Sequence, residues 1–307
     1  GDSALLGIAT ANADGTVAVG ASALAALTSG AGNTAVGYIA LSTENTGVNN
    51  TAIGYKALSV LDNVTGMNTA VGSQAGLTLS AGYLNTVIGN DAAKLLTAGV
   101  SNVAVGGRAF SAAALGESTN IAIGADSMRF VAEHSGGSSS ANGNISIGVD
   151  SMAGGALASG ENFDYNIAIG ENAMNSTGGE EQTGTIAIGY NALTALTTGA
   201  QNTAIGFQSQ DANTTGSWNT TLGYDSGGAL TAGSNSNTAI GANSLSAGNN
   251  ASTDNNTCVG SASGDVITTG HTNTIMGADS DPSANSGANQ ATLGYGVTGV
   301  ADNSVTL

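Results

Sequence analysis

The chain has 307 residues, 48 of them glycine, and carries 4 Lys or Arg against 21 Asp or Glu, a net charge of −17. That balance argues against nucleic acid or an anionic membrane surface as partner, because both are held by clustered basic side chains. Cys258 is the single cysteine, so no disulfide can form within one chain. No stretch approaches the roughly 20 apolar residues of a membrane-crossing helix, and no membrane insertion is expected.

Along the chain one unit keeps returning. Asn33-Thr34-Ala35-Val36-Gly37-Tyr38-Ile39-Ala40-Leu41 comes back as Asn50-Thr51-Ala52-Ile53-Gly54-Tyr55-Lys56-Ala57-Leu58, and with drift as far as Gln290-Ala291-Thr292-Leu293-Gly294. Most motif glycines, from Gly20 to Gly294, lie about 17 or 18 residues apart. A composition rich in Gly, Ala, Ser, Thr and Asn would suit disorder, but disordered sequence has no reason to hold Val and Ile in register. No composition shift divides the array, so residues 1–307 read as a single repeat domain. The last residues, Asn303 to Leu307, stop where the next motif glycine would fall. The chain is therefore expected to be a piece of a longer one.

A period near 17 is too short for a pair of helices. It predicts an all-β parallel β-solenoid of about sixteen coils, with two short strands and two turns per coil. The first strand is Thr-Ala-Val/Ile, where β-branched residues favour a pleated chain. The glycine supplies a turn that a Cβ would resist. The second strand is expected at Ala40-Leu41, Ala57-Leu58, Ser127-Met128 and their equivalents, followed by an outer turn with its own glycine, as at Gly30 and Gly47.

Alternation along the first strand puts Thr34 and Val36 on one face and Ala35 on the other. If the Val/Ile face fills the coil, the Ala column (Ala52, Ala70, Ala104, Ala122, with Cys258 in the same register) must meet something that tolerates only small residues. A strand apolar on both faces is buried on both. Partner chains against the Ala face, closed around a threefold axis, are the simplest solution and predict a homotrimeric rod of roughly 80 Å. Asn33, Asn50, Asn68, Asn85 and their successors, four before each glycine, should stack into an amide ladder.

The Asn-Thr-Ala-Val/Ile-Gly-Tyr-x-Ala-Leu repeat resembles the left-handed parallel β-roll of trimeric autotransporter adhesin heads. It resembles still more the longer repeats of phage tail-fibre proteins. The resemblance covers nearly the whole chain. It implies a homotrimer in a virion tail fibre or at an extracellular cell surface; attachment to a host or cell-surface receptor is the expected role, with carbohydrate one candidate for that receptor. The bacterial adhesin head is the alternative, and a polysaccharide-degrading, tailspike-like enzyme a third reading.

Signs of catalysis are poor, and no catalytic residue is assigned. His134 and His271 are not at zinc-ligand spacing with Cys or Glu. Asp126 and Asp150, two after the glycine in successive coils, form the one carboxylate pair worth weighing for glycoside hydrolysis. No metal site or cofactor is assigned; calcium is the ion the acidic turns, with Asp211, Asp254 and Asp265, would suit best. Recognition is expected in the enlarged outer turns at 129–144 and 152–166, which hold Arg129, Phe130, His134, Phe163 and Tyr165 and belong to adjacent coils. A second candidate is the edge before the Asn column, with Tyr83, His271 and Trp218, the only tryptophan.

Overall fold

The structure, a computed structural model, describes residues 4, 13–113, 116–130, 141–155, 161–176, 182–228, 230–247 and 253–307. The chain divides into two compact units, Gly1–Glu161 and Asn162–Leu307. Both are parallel β-solenoids, together holding about 15 turns, and no helix occurs among the described residues.

In the first unit the strands are Val17–Val19 (β1), Thr34–Val36 (β2), Thr51–Ile53 (β3), Thr69–Val71 (β4), Thr86–Ile88 (β5), Val103–Val105 (β6), Ile121–Ile123 (β7) and Ile145–Ile147 (β8). Each pairs in parallel with the next at fixed register, Ala35 against Ala52 and Ala52 against Ala70. The second unit repeats this with Ile167–Ile169, Ile186–Ile188, Thr203–Ile205, Thr220–Leu222, Thr238–Ile240, Thr257–Val259, Thr274–Met276, Ala291–Leu293 and Val305–Thr306. It adds one short parallel pair of its own, Phe163–Asp164 with Gln182–Thr183.

Two expectations about the coil need correction. The first concerns the second strand. The stretch after the motif glycine is a run of turns in which left-handed residues recur, Ile39 at φ 59° and Leu41 at φ 50°. Such residues cost roughly 1–2 kcal/mol each. Here the cost is offset because their N–H groups reach neighbouring coils, Ile39 donating to the Ala21 carbonyl and Leu41 to that of Ala57, both at 3.0 Å. An extended strand would send consecutive side chains to opposite sides. The turn run sends both Ala40 and Leu41 inward, where both are fully buried.

The second correction follows from the first. Leu41, Leu58 and Met128, four after the glycine, with Leu27, Leu61, Leu79 and Leu96, seven after it, already fill the coil interior. Only small side chains fit opposite them, so the Ala column points into its own coil. Ala35, Ala52, Ala70, Ala104 and Ala122 are wholly buried within a single chain. Thr and Val/Ile point outward. At two coils where the column carries something larger than Ala, a glycine faces it: Gly227 stands against Thr221 and Gly264 against Cys258. A Cβ on Gly264 would lie 2.6 Å from the Cys258 sulfur. That sulfur sits among Leu230, Ala239, Leu245, Ile267 and Ile275, and burial pushes its thiol pKa up to about 12.

The glycines and asparagines do what their spacing suggests, with an added constraint. Gly37 sits at φ 141°, and a Cβ there would lie 2.3 Å from the Gly54 carbonyl oxygen of the next coil. The buried asparagines form the expected ladder. The Asn85 side chain donates to the Asn68 side-chain oxygen at 3.1 Å, and that same oxygen accepts the Asn85 backbone N–H at 3.1 Å. The second amide hydrogen of Asn85 goes to the Gly99 carbonyl at 2.7 Å. The ladder is interrupted at Thr185, whose backbone N–H still donates to Asn166 at 2.9 Å.

Candidate functional site

Two surfaces stand out. One is the outward face of the strand ladder. In the first unit Val19 is 56% exposed and Ile53 38%; in the second Leu222 is 47% and Leu293 54%. Beside these columns, at the residue after the motif glycine, aromatic rings stack from coil to coil. Tyr38 and Tyr55 lie 5.9 Å apart between centroids, and Tyr190, Phe207 and Tyr224 follow at 5.1 and 5.6 Å. Stacked coils repeat at about the strand spacing, which holds successive rings in offset contact.

The other surface is a pocket of about 330 Å³ in the first unit, lined by Asp91, Lys94, Leu95, Arg108, Ser111, Ala112, Arg129 and Phe130. Three successive coils build it, after β5, β6 and β7. Left-handed backbone at Asp91, Arg108 and Asp126, with φ between 55° and 58°, turns these side chains out of the coil. Lys94 pairs with Asp91 at 3.1 Å. Asp126 receives Arg108 at 2.6 Å on one oxygen and Arg129 at 3.3 Å on the other. Arg129 lies over the Phe130 ring, 4.4 Å from its centroid.

Family models, curated proteins and solved structures offer no match to this chain.

The residues singled out from sequence fare unequally. Arg129 and Phe130 meet in the pocket. His134 lies outside the described residues, as do 131–140 of the first enlarged turn and 156–160 of the second. Phe163, in the strand paired with Gln182–Thr183, is fully buried in the coil. Tyr165 is exposed, and so is Trp218, whose indole N–H donates to the Gln201 side-chain oxygen. Both hold left-handed backbone immediately before a ladder asparagine. Asp126 is paired with two guanidinium groups.

Sequence reasoning missed Lys94 and Arg108 as pocket residues and the aromatic column as an exposed stack. The Gly-Tyr and Gly-Phe steps were a visible signal for the stack. Among the described residues no group of three or more His, Cys, Asp or Glu is gathered to hold a metal ion. The acidic turns do show repulsion. Burial, then the charge of Asp225, raises the Asp211 carboxyl. Burial, then Asp279, raises Asp265. Burial, then Asp265, raises Asp281.

Proposed function

We propose that this chain is a structural and adhesive protein of a phage tail fibre, acting outside the cell as a homotrimer that presents its turns to a host surface. The observation that carries the reading is the outward Val/Ile column. A sheet whose apolar side chains stand open in a single chain is ordinarily covered, and a repeat of this kind resembles those of trimeric fibres. The trimer face assigned here is therefore the Thr and Val/Ile face, with further copies of this chain as its occupant. Within each unit the continuous ladder and the buried amides supply the stiffness that transmitting contact requires.

Mass in solution tests the reading. At micromolar concentration the expected species is three times the 29.4 kDa chain. Ile53→Asp and Ile240→Asp, which place charge on the outward column without touching the coil interior, should shift it towards monomer. A parent chain that is strictly monomeric would defeat the proposal.

A further inference from the structure

Only four basic side chains occur in the whole sequence, Lys56, Lys94, Arg108 and Arg129. Three of them line the single pocket described above. The coil does not need them there. The position two after the glycine is Ser22, Gln74, Asn172 or Gln208 in other coils, and the position five after it is Ala25, Ser42 or Thr194. Nor does the turn run depend on them, since the same left-handed backbone recurs at Ser22, Gln74, Asn172 and Gln208, where no cation stands. A strongly acidic chain has nevertheless gathered them on three successive coils.

We propose that this pocket binds one anionic sugar residue, a pyranose carrying a carboxylate or a phosphate monoester. Three cations face two carboxylates, Asp91 and Asp126, leaving the cluster with one positive charge in excess. Each guanidinium has five N–H donors. The ion pairs engage Nη2 of Arg108 and Nε of Arg129, and the remaining donors can take the two oxygens of a carboxylate or phosphate. Arg108 is 51% exposed at its side chain, so the anion reaches it without displacing protein. Leu95, Ala112 and Phe130 form an apolar wall suited to the C–H face of a sugar ring. The volume is at the lower end of ligand sites, which suits a small ligand rather than a protein segment. The charge of the rest of the chain repels long polyanions, so a single anionic group on a sugar fits where nucleic acid does not. The pocket lies on the turn run, on columns other than the outward strand face.

The inference rests on the host-attachment reading for its biological sense, but its test does not. Titration calorimetry of the full chain with glucuronic acid, glucose 6-phosphate, glucose and inorganic phosphate separates the alternatives. Glucuronic acid, glucose 6-phosphate or both should bind at least about tenfold more tightly than glucose or inorganic phosphate, and Arg108→Gln and Phe130→Ala should each weaken that binding by about tenfold. Arg108→Gln leaves Asp126 paired with Arg129, so the fold is kept, and an unchanged thermal midpoint verifies it. No binding of either anionic sugar overturns the proposal, as does binding that Arg108→Gln leaves intact. Inorganic phosphate binding as well as glucose 6-phosphate, with Phe130→Ala silent, overturns the sugar and leaves an adventitious ion only. A failed titration beside an intact trimer would sink this pocket alone; a monomer that still binds would sink the fibre reading alone.

Discussion

The same two columns of the coil carry opposite chemistry in the two units. Two after the glycine, the first unit has Asp91, Asp126 and Asp150 and the second has Asp225 and Asp279. Five after it, the first unit has Lys94 and Arg129, whereas the second has Asp211 and Asp265. In the first unit Asp91 and Asp126 each meet a cation at 3.3 Å or closer. In the second, carboxylate faces carboxylate: burial, then the charge of Asp225, raises Asp211, and burial, then the charge of Asp279, raises Asp265. The backbone is the same in both, because hydrogen bonds between coils and the packed interior hold it without help from these side chains. Charge on the turn run is thus free to vary, and a concentration of cations there reflects something other than the needs of the coil.

If the scaffold is common to both units, damage to it should cost the same in either. Gly72→Ala and Gly206→Ala each put a methyl within 2.3 Å of a carbonyl oxygen in the next coil, on backbone at φ 140° and 143°. Each should destabilise by at least about 3 kcal/mol in denaturant unfolding. A large effect in one unit and a negligible one in the other would break the equivalence. Asn85→Ala and Asn237→Ala come next. Each leaves buried ladder partners unpaired, and a loss of about 2–4 kcal/mol is expected.

The smallest effects are the most discriminating, because the units should differ in sign. Asp126→Asn removes the partner of two guanidinium groups and should cost about 0.5–1 kcal/mol at pH 7. Asp211→Asn and Asp265→Asn relieve repulsion and should stabilise by a few tenths of a kcal/mol after solvent screening. The pH dependence follows. Asp211 and Asp265 hold a proton more tightly folded than unfolded. Their favourable contribution is complete below the ordinary aspartate range and is lost as pH rises through their raised values. Acidifying from about pH 6 to about pH 4 should therefore stabilise the parent relative to the double Asn variant. Asp302, held below the usual range by the Ala288 N–H and the Gln290 side chain, works in the opposite direction but is common to both proteins and drops out of the difference. The same sign for the Asp126 and Asp265 substitutions would remove the contrast.

Periodicity made the parallel solenoid, the glycine turns and the asparagine ladder legible, because each depends only on what recurs at a fixed spacing. Which strand face points inward does not follow from alternation alone. It depends on what the opposite wall contributes, and Leu41, Leu58 and Met128 occupy the room that Val and Ile were expected to fill. A clue was present where a larger column residue coincides with a glycine six residues on, Thr221 with Gly227 and Cys258 with Gly264, pairs that face each other inside one coil. The pocket was half legible. Arg129 and Phe130 stood out in an enlarged turn, but Lys94 and Arg108 join them only through stacking of coils at unequal spacing.

Cys258 gives the molecule a built-in reporter. A thiol sealed among aliphatic side chains, and ionising only near pH 12, does not react with alkylating reagents while its coil stays closed. Labelling at that sulfur therefore clocks how often this one coil breathes. No reporter group has to be engineered in, and the rest of the chain, having no second thiol, stays silent.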